Sequence, residues 1–387
     1  MKIELNPRQA SHRAAFRQFA NTEIAPCADG YDHEERIPAE LICKLGERGY
    51  LGSLIGEEWG GRGWDSLTYG LLNEETGRAC SSVRSLLTVH DMVALAILKW
   101  GSAQQRRSWL PKLASAEKLA AFAITEPDIG SDAMNVETIA VRRNGSYVLN
   151  GSKKWISFGQ IANLFLVLAQ CETKPTTFLV ERDSPGLSVR PIGGMLGLRA
   201  SMLAELTLSN CEIPAENLLG RVGFGLLTSV STALGLGRYS VAWGCVGIAQ
   251  ACLESCVRYT SKREQFGVLL KEHQLIKQMM SEMMVNVKAA RLLCYRAGYL
   301  KETGDPREVM ETFMAKYFAS RAAMKAATDA VQIHGANGCS NVYPVERYLR
   351  DAKIMEIIEG SNQIQQLTIA DYAYQEEARR ERSLVVN

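Results

Sequence analysis

Apolar and polar positions along the chain follow three successive rhythms. Up to about residue 119 apolar residues recur at the three- and four-residue spacing of helices with one buried face. The run from Pro38 to Gly46 has proline near its start and glycine at its end, the asymmetry of a short helix. Ser81 to Leu119 continues in the same manner, punctuated by Gly101 and Pro111. At about residue 120 the pattern changes. Val141 to Trp155 reads as two strands joined by a tight turn at Asn144-Gly145. Leu164 to Ala169, Thr177 to Val180 and Leu203 to Leu208 are further short strand-like runs between turn residues. From about Leu219 the helical spacing returns, with amphipathic stretches over roughly 226–259, 271–303, 307–335 and 360–373. Tyr374 to Asn387 is a charged tail expected to fray. A helical block, a β block and a second helical block argue against a doubly wound α/β sheet, in which strands and helices alternate. The last block suits a four-helix bundle, with any remaining apolar face free for self-association.

Composition narrows the classes without choosing among them. At 387 residues, 47% apolar and 22% charged, the chain has material for two or three packed domains of ordinary globular type. A net charge of +2 gives no electrostatic case for a nucleic-acid partner. The ten cysteines show no CxxC spacing, so neither a zinc site nor a thioredoxin-like pair is expected, and no other metal constellation accompanies His334. The start of the chain is polar and charged rather than signal-like, and no run of about 18 to 20 apolar residues suggests a membrane span. A reducing cytoplasm with free thiols is the expected setting.

Four segments carry candidate chemistry. In Ala123-Ile-Thr-Glu-Pro-Asp-Ile-Gly-Ser-Asp132, Pro127 and Gly130 bend the chain out of a strand, leaving Thr125, Ser131 and backbone N–H groups able to hold a phosphate or a heteroaromatic edge; a capped turn has the same composition. In Gly151-Ser-Lys-Lys-Trp-Ile-Ser157, strand alternation puts Trp155 and Ser157 on one face, which suits a flat aromatic cofactor or a plain core tryptophan. In Ser261-Lys-Arg-Glu-Gln-Phe-Gly267, followed by His273-Gln274, Arg263 is able to meet a pyrophosphate or to sit at a solvated helix end. The fourth segment runs from Gln332-Ile-His-Gly-Ala-Asn-Gly338 through Arg350-Asp-Ala-Lys353 to Met355-Glu-Ile-Ile-Glu-Gly360. There Glu359, between an apolar pair and a glycine, is either partly desolvated, with a pKa raised toward that of a useful base, or an ordinary loop residue.

Taken in order and spacing, these segments resemble the acyl-CoA dehydrogenase family along nearly the whole chain. The resemblance implies a mainly α fold with a central β domain: an N-terminal helical domain over 1–119, a middle β-barrel-like domain over 120–225 and a C-terminal four-helix bundle over 226–387. It implies FAD as cofactor and an acyl thioester as substrate. By this resemblance Phe122, Ile124, Thr125, Gly130 and Ser131 form the flavin-binding loop, Trp155 flanks the isoalloxazine and Ser157 lies near N5. Arg263, Phe266 and Gln274 correspond to FAD contacts made across a subunit interface, and Gln332, Gly335 and Ala336 to the loop touching the neighbour's FAD. Ser361 and Gln363 match contacts just after the base, and Ser131, Arg238 and Gly360 match substrate contacts. Glu359 falls on the catalytic carboxylate. The family's other place for a base, directly before Arg238, is Gly237 here. In the family the base takes the α-proton while the β-hydride passes to flavin, and the base's own N–H helps to stabilise charge on the thioester oxygen. A homodimer or homotetramer is implied, with electron-transfer flavoprotein or oxygen as electron acceptor.

Three departures stand out: Ser157 replaces the usual threonine, Ala336 replaces the second glycine of its loop, and Gly235 replaces the aspartate that CoA-binding members carry three residues before the arginine. The segments Cys80 to Thr88, Gly237 to Gly247 and Arg350 to Gly360 are closer to the acyl-ACP dehydrogenases of polyketide extender-unit pathways. That likeness implies a small hydroxylated or aminated acyl group on an acyl carrier protein. The alternatives are a short-chain acyl-CoA dehydrogenase of catabolism and a catalytically silent flavin-binding assembly subunit.

Overall fold

The computed structural model describes residues 4–385, with side chains described through residue 378. Helices α1 (Pro7–Phe19), α2 (Ala28–Glu34), α3 (Ala39–Glu47), α4 (Ser66–Ala79), α5 (Ser81–Trp100) and α6 (Ala103–Ala114) form the first layer. Their ends follow local chemistry: the Asn6 side chain caps the N–H of Gln9 while the Gln9 side chain caps that of Asn6, and Ser102 and Gln105 repeat the arrangement on α6.

The β layer contains β1 (Ala120–Ala123), β2 (Ile139–Arg143), β3 (Ser146–Ile156), β4 (Leu164–Cys171), β5 (Lys174–Glu181), β6 (Leu187–Pro191), β7 (Ala204–Pro214) and β8 (Leu218–Leu219). They form one mixed sheet in the order β6-β7-β3-β2-β4-β5-β8, with β1 added parallel to β4. The hairpin expected at Asn144-Gly145 is present: both residues are left-handed, at φ 40° and 85°, which matches the twist of the strands they join. The expected regular alternation at the end of β3 is not. The register against β7 shifts between Lys153 and Ile156, Trp155 is left-handed at φ 62°, and the strand ends before Ser157. A bulge, rather than the pleat, turns the Trp155 side chain outward.

The C-terminal layer comprises α7 (Ser231–Thr260), a small hairpin of β9 (Glu264–Gln265) and β10 (Val268–Leu269), then α8 (Gln274–Glu302), α9 (Glu308–His334), α10 (Val345–Met355) and α11 (Asn362–Val385). The stretch expected to fray after residue 373 is thus helical through Val385. Helix α7 packs against α4 and α5 of the first helical block and against α8, α9 and α10 of its own. Glycines let α4 and α7 touch backbone to backbone. A Cβ on Gly77 would lie 2.9 Å from the Cα of Gly244, and one on Gly247 would lie 2.3 Å from the carbonyl oxygen of Glu74. The contact is reinforced by buried Glu74, which pairs with Arg13 of α1 at 3.0 Å and Arg291 of α8 at 2.8 Å. Contrary to the sequence expectation, Ser81–Trp100 and Leu226–Thr260 are long and apolar enough to cross a membrane, but most of each is buried inside the protein, as core helices are. All ten cysteines are free.

Candidate active site

After α10 the chain makes a tight turn in which Glu359 and Gly360 are both left-handed, at φ 56° and 87°. A non-glycine residue there costs roughly 1 to 2 kcal/mol, and the surroundings over-determine it. The Glu359 carbonyl accepts from Arg238 Nε at 3.1 Å and Gln365 Nε2 at 3.3 Å. The Gly360 carbonyl accepts from Lys316 Nζ at 2.9 Å and Gln365 Nε2 at 3.0 Å. The N–H of Asn362 closes the turn on the carbonyl of Glu356 at 2.9 Å. Arg238 is itself held flat over the Phe313 ring of α9, 4.4 Å from its centroid.

This turn presses the Glu359 carboxylate against α7. A Cβ on Gly237 would stand 2.3 Å from Oε2 and 2.6 Å from Cδ. Oε2 is buried and, among the described residues, has no hydrogen-bond partner. Burial pushes the pKa up to about 7, against the opposing pull of Arg238, Arg84 and Lys316 in that order. Arg84 is a buried cation on α5: it donates to Thr88 Oγ1 at 2.9 Å and faces Met355 Sδ at 3.6 Å, but pairs with no carboxylate among the described residues. The result is a carboxylate with one open oxygen and a pKa near neutrality. Such a group is suited to taking a proton from a weak carbon acid.

A second group of predicted residues gathers where β1 leaves the sheet. The Lys154 N–H donates to the Thr125 carbonyl at 2.8 Å, tying the 123–132 loop to the end of β3. Beneath it lies a buried ion pair. Lys153 Nζ meets Glu126 Oε1 at 2.6 Å, and Glu126 also accepts from the N–H groups of Glu137 and Thr138, at 2.6 and 2.9 Å. On this base Phe122, Ile124 and Thr125 are half-buried, Gly130 and Ser131 are exposed, and the Trp155 indole is 44% exposed. Among the described residues the hydroxyls of Thr125, Ser131 and Ser157 have no hydrogen-bond partner. An outward-facing indole beside unspent hydroxyls fits a flat heteroaromatic ring with polar edges, as the flavin of FAD is.

The remaining predicted residues lie elsewhere. Arg263, Phe266 and Gln274 follow α7, while Gln332, Gly335 and Ala336 end α9. These two segments meet around a cleft of about 460 Å³ lined by Arg258, Tyr259, Lys262, Arg263 and Asn337. Tyr259 stacks on His334 at 4.2 Å, and its hydroxyl accepts from Asn337 Nδ2 at 2.9 Å. Phe266 is 95% exposed, and the Arg263 guanidinium has no partner among the described residues. From Arg238 to the end of α7 is about 33 Å of helix. The Arg263 cluster and the Glu359 cluster therefore do not face one small molecule within a single chain. Ser361 and Gln363 stay with Glu359, Ser361 Oγ accepting from the Ile364 N–H at 3.4 Å and Gln363 pointing outward. If Arg263 holds a phosphate, Arg263→Ala should lose FAD on dilution and gel filtration, with at least a tenfold weaker retention, while circular dichroism stays unchanged.

Sequence reasoning did not single out Lys316, Gln365, Asn362, Arg84 or the Glu126–Lys153 pair. Arg84, Glu126 and Lys153 lie within the quoted segments without standing out in them, and Lys316 left a pattern of its own: Thr312, Lys316 and Ser320 recur every four residues among alanines, a polar stripe on a buried helix face.

Known proteins share this order of a helical, a β and a second helical domain. The N-terminal, middle and C-terminal domains of acyl-CoA dehydrogenase match residues 6–117, 121–211 and 225–373. An acyl-CoA dehydrogenase of Bacillus subtilis is 40% identical over 376 residues, covering 96% of this chain and 99% of its own. Butyryl-CoA dehydrogenase of Megasphaera elsdenii superposes with a TM-score of 0.92 at 34% identity, over 97% and 100% of the two chains. The prolyl acyl carrier protein oxidase AnaB gives 0.91 at 29% identity over 96% and 100%. FkbI, for biosynthesis of the methoxymalonyl extender unit of a polyketide, gives 0.86 at 32% identity over 94% and 99%. The chain belongs to the acyl-CoA dehydrogenase family, FAD-dependent oxidoreductases that act on a CH–CH bond.

Proposed function

We propose that this enzyme dehydrogenates a small hydroxylated or aminated acyl group carried as a thioester on an acyl carrier protein, with Glu359 as the base. The carrying observation is the open, buried Oε2 of Glu359, set against α7 by a turn that five hydrogen bonds define. In this reading Glu359 takes the α-proton, and its own backbone N–H faces the thioester oxygen on which charge develops. Ser131, Arg238 and Gly360 border the acyl group. FAD, when bound, supplies the acceptor for the hydride leaving the β carbon. A CH₂OH group at that carbon is thereby converted to an enol, which tautomerises to an aldehyde. The Arg263 cluster, far from Glu359 in its own chain, completes the FAD site of a neighbouring subunit in a homo-oligomer. Electron-transfer flavoprotein or oxygen reoxidises the enzyme.

Gly235 supports the carrier-protein reading. A Cβ there meets nothing within 4 Å, so packing does not demand glycine, and the missing side chain is a missing contact. A carrier protein brings its own surface contacts and needs no nucleotide pocket to hold the pantetheine arm. The test is anaerobic bleaching of the flavin by 3-hydroxypropionyl thioesters on ACP and on CoA. ACP should be faster, salt should slow it by screening local charge, and Gly235→Asp should raise the CoA rate several-fold relative to ACP. If butyryl-CoA bleaches the flavin faster than every acyl-ACP tried, the short-chain acyl-CoA reading replaces this one.

A further inference from the structure

Lys316 lies in the middle of α9 with no exposed surface, its inward neighbours Ala315, Ala319 and Ala323. An ammonium group in such a place is costly unless it is paired, yet no carboxylate forms an ion pair with it among the described residues. Its Nζ instead spends protons on the Gly360 carbonyl at 2.9 Å and on Asn362 Oδ1 at 3.1 Å, which Ser320 Oγ also donates to at 2.9 Å. All three contacts bear on the segment that carries Glu359. A neutral donor would satisfy the same carbonyl without the desolvation of a charge, so the charge itself calls for a role.

The charged and titratable groups around it define that role. From α7 come Cys245 and Arg238, and from the segment after α10 come Glu356 and Glu359. Arg84 of α5 adds a second buried cation on the Glu359 carboxylate. We propose that Lys316 is a positioning residue for the base: its ammonium pins the Gly360 carbonyl, so that the left-handed turn aims the Glu359 carboxylate, and its charge favours the ionised, proton-accepting form. The inference rests on Glu359 being the base. Burial lowers the Lys316 pKa to about 8, which leaves the side chain mostly charged at pH 7. Loss of that charge raises the Glu359 pKa, so less of the base is ionised at neutral pH.

The test is single-turnover flavin reduction of the holoenzyme, from pH 6 to 9, by whichever 3-hydroxypropionyl thioester (on ACP or on CoA) reduces the wild-type flavin faster. Wild type, Lys316→Met, Lys316→Gln and Glu359→Gln are compared at matched FAD content. Lys316→Met should be at least tenfold slower at pH 7, with half-saturation changed less than twofold and the pH midpoint moved upward. Lys316→Gln keeps a neutral donor one bond shorter, so its rate should recover toward wild type at pH 9 while its midpoint stays raised. Should the methionine variant fail to fold, the glutamine variant decides alone. A folded, FAD-loaded variant with wild-type rate and midpoint, beside a slow Glu359→Gln, would overturn the role of Lys316 and leave the base intact. Wild-type rates in Glu359→Gln would overturn the base itself.

Discussion

Glu359→Gln should retain FAD and slow flavin reduction by a thioester substrate about 10² to 10⁴-fold, the usual cost of removing a general base. The amide is nearly isosteric with the carboxylate but has no basic oxygen for the proton. The turn is held through the carbonyls of Glu359 and Gly360 rather than through the carboxylate, so its geometry should survive. Stopped-flow absorbance under nitrogen reads the rate directly, and an unchanged rate removes Glu359 from the mechanism. The pH dependence follows from the same burial. With a folded pKa of about 7, wild-type reduction should rise with pH through neutrality as the carboxylate ionises. The folded-state pKa lies above the unfolded value of 4.5, so the folded protein binds the proton more tightly. The stability this group contributes is therefore complete below about pH 4.5 and is lost as pH rises toward 7. Glu359→Gln should lack that slope in thermal melts.

The fold was most legible where local chemistry decided it. Asn144-Gly145 is a turn before any partner is considered, since both residues tolerate left-handed backbone. The long helices α8 and α9 declare themselves by period, whereas α7, expected to be amphipathic over 226–259, is apolar nearly all round because it is buried nearly all round. β1 showed only at its exit, where Pro127 and Gly130 bend the chain out of a strand; Ala-Ala-Phe-Ala itself is neither alternating nor β-branched and is held by parallel pairing with β4. Alternation was expected to put Trp155 and Ser157 on one face, against a cofactor or in the core; Trp155 is exposed because a bulge interrupts alternation. The site divided along the same line. For Glu359, beside a glycine and an apolar pair, the residues left a desolvated base and an ordinary loop residue both open, and burial does raise its pKa. Lys316, Arg84 and Lys153 did not announce themselves, because a lysine or arginine in a sequence reads as solvated until tertiary packing encloses it. Their placement depends on α5, α9 and β3 meeting segments far away in the chain.

Gly237→Ala should separate activity from stability. Glycine inside a helix costs about 1 kcal/mol relative to alanine, so on backbone grounds alone the substitution stabilises α7. Yet the new methyl would stand 2.3 Å from Glu359 Oε2, 2.6 Å from its Cδ and 3.0 Å from Met92 Sδ. All three atoms belong to the ends of flexible side chains, so the fold relieves the overlap by rotating them rather than by moving backbone. The relief displaces the atom that must meet the α-hydrogen. A displacement of about 1 Å in a reacting group costs about 10²-fold in rate. Position 237 is where the resemblance to the family puts its other base, and here the Glu359 carboxylate occupies the space beside that Cα; one volume is reached from two points of the backbone. Gly237→Ala should therefore melt no lower than wild type, bind FAD normally and reduce it about a hundredfold more slowly, with no recovery at high pH because the defect is positional. A wild-type rate in this variant would mean that the carboxylate reacts from a rotamer other than the one packed against α7.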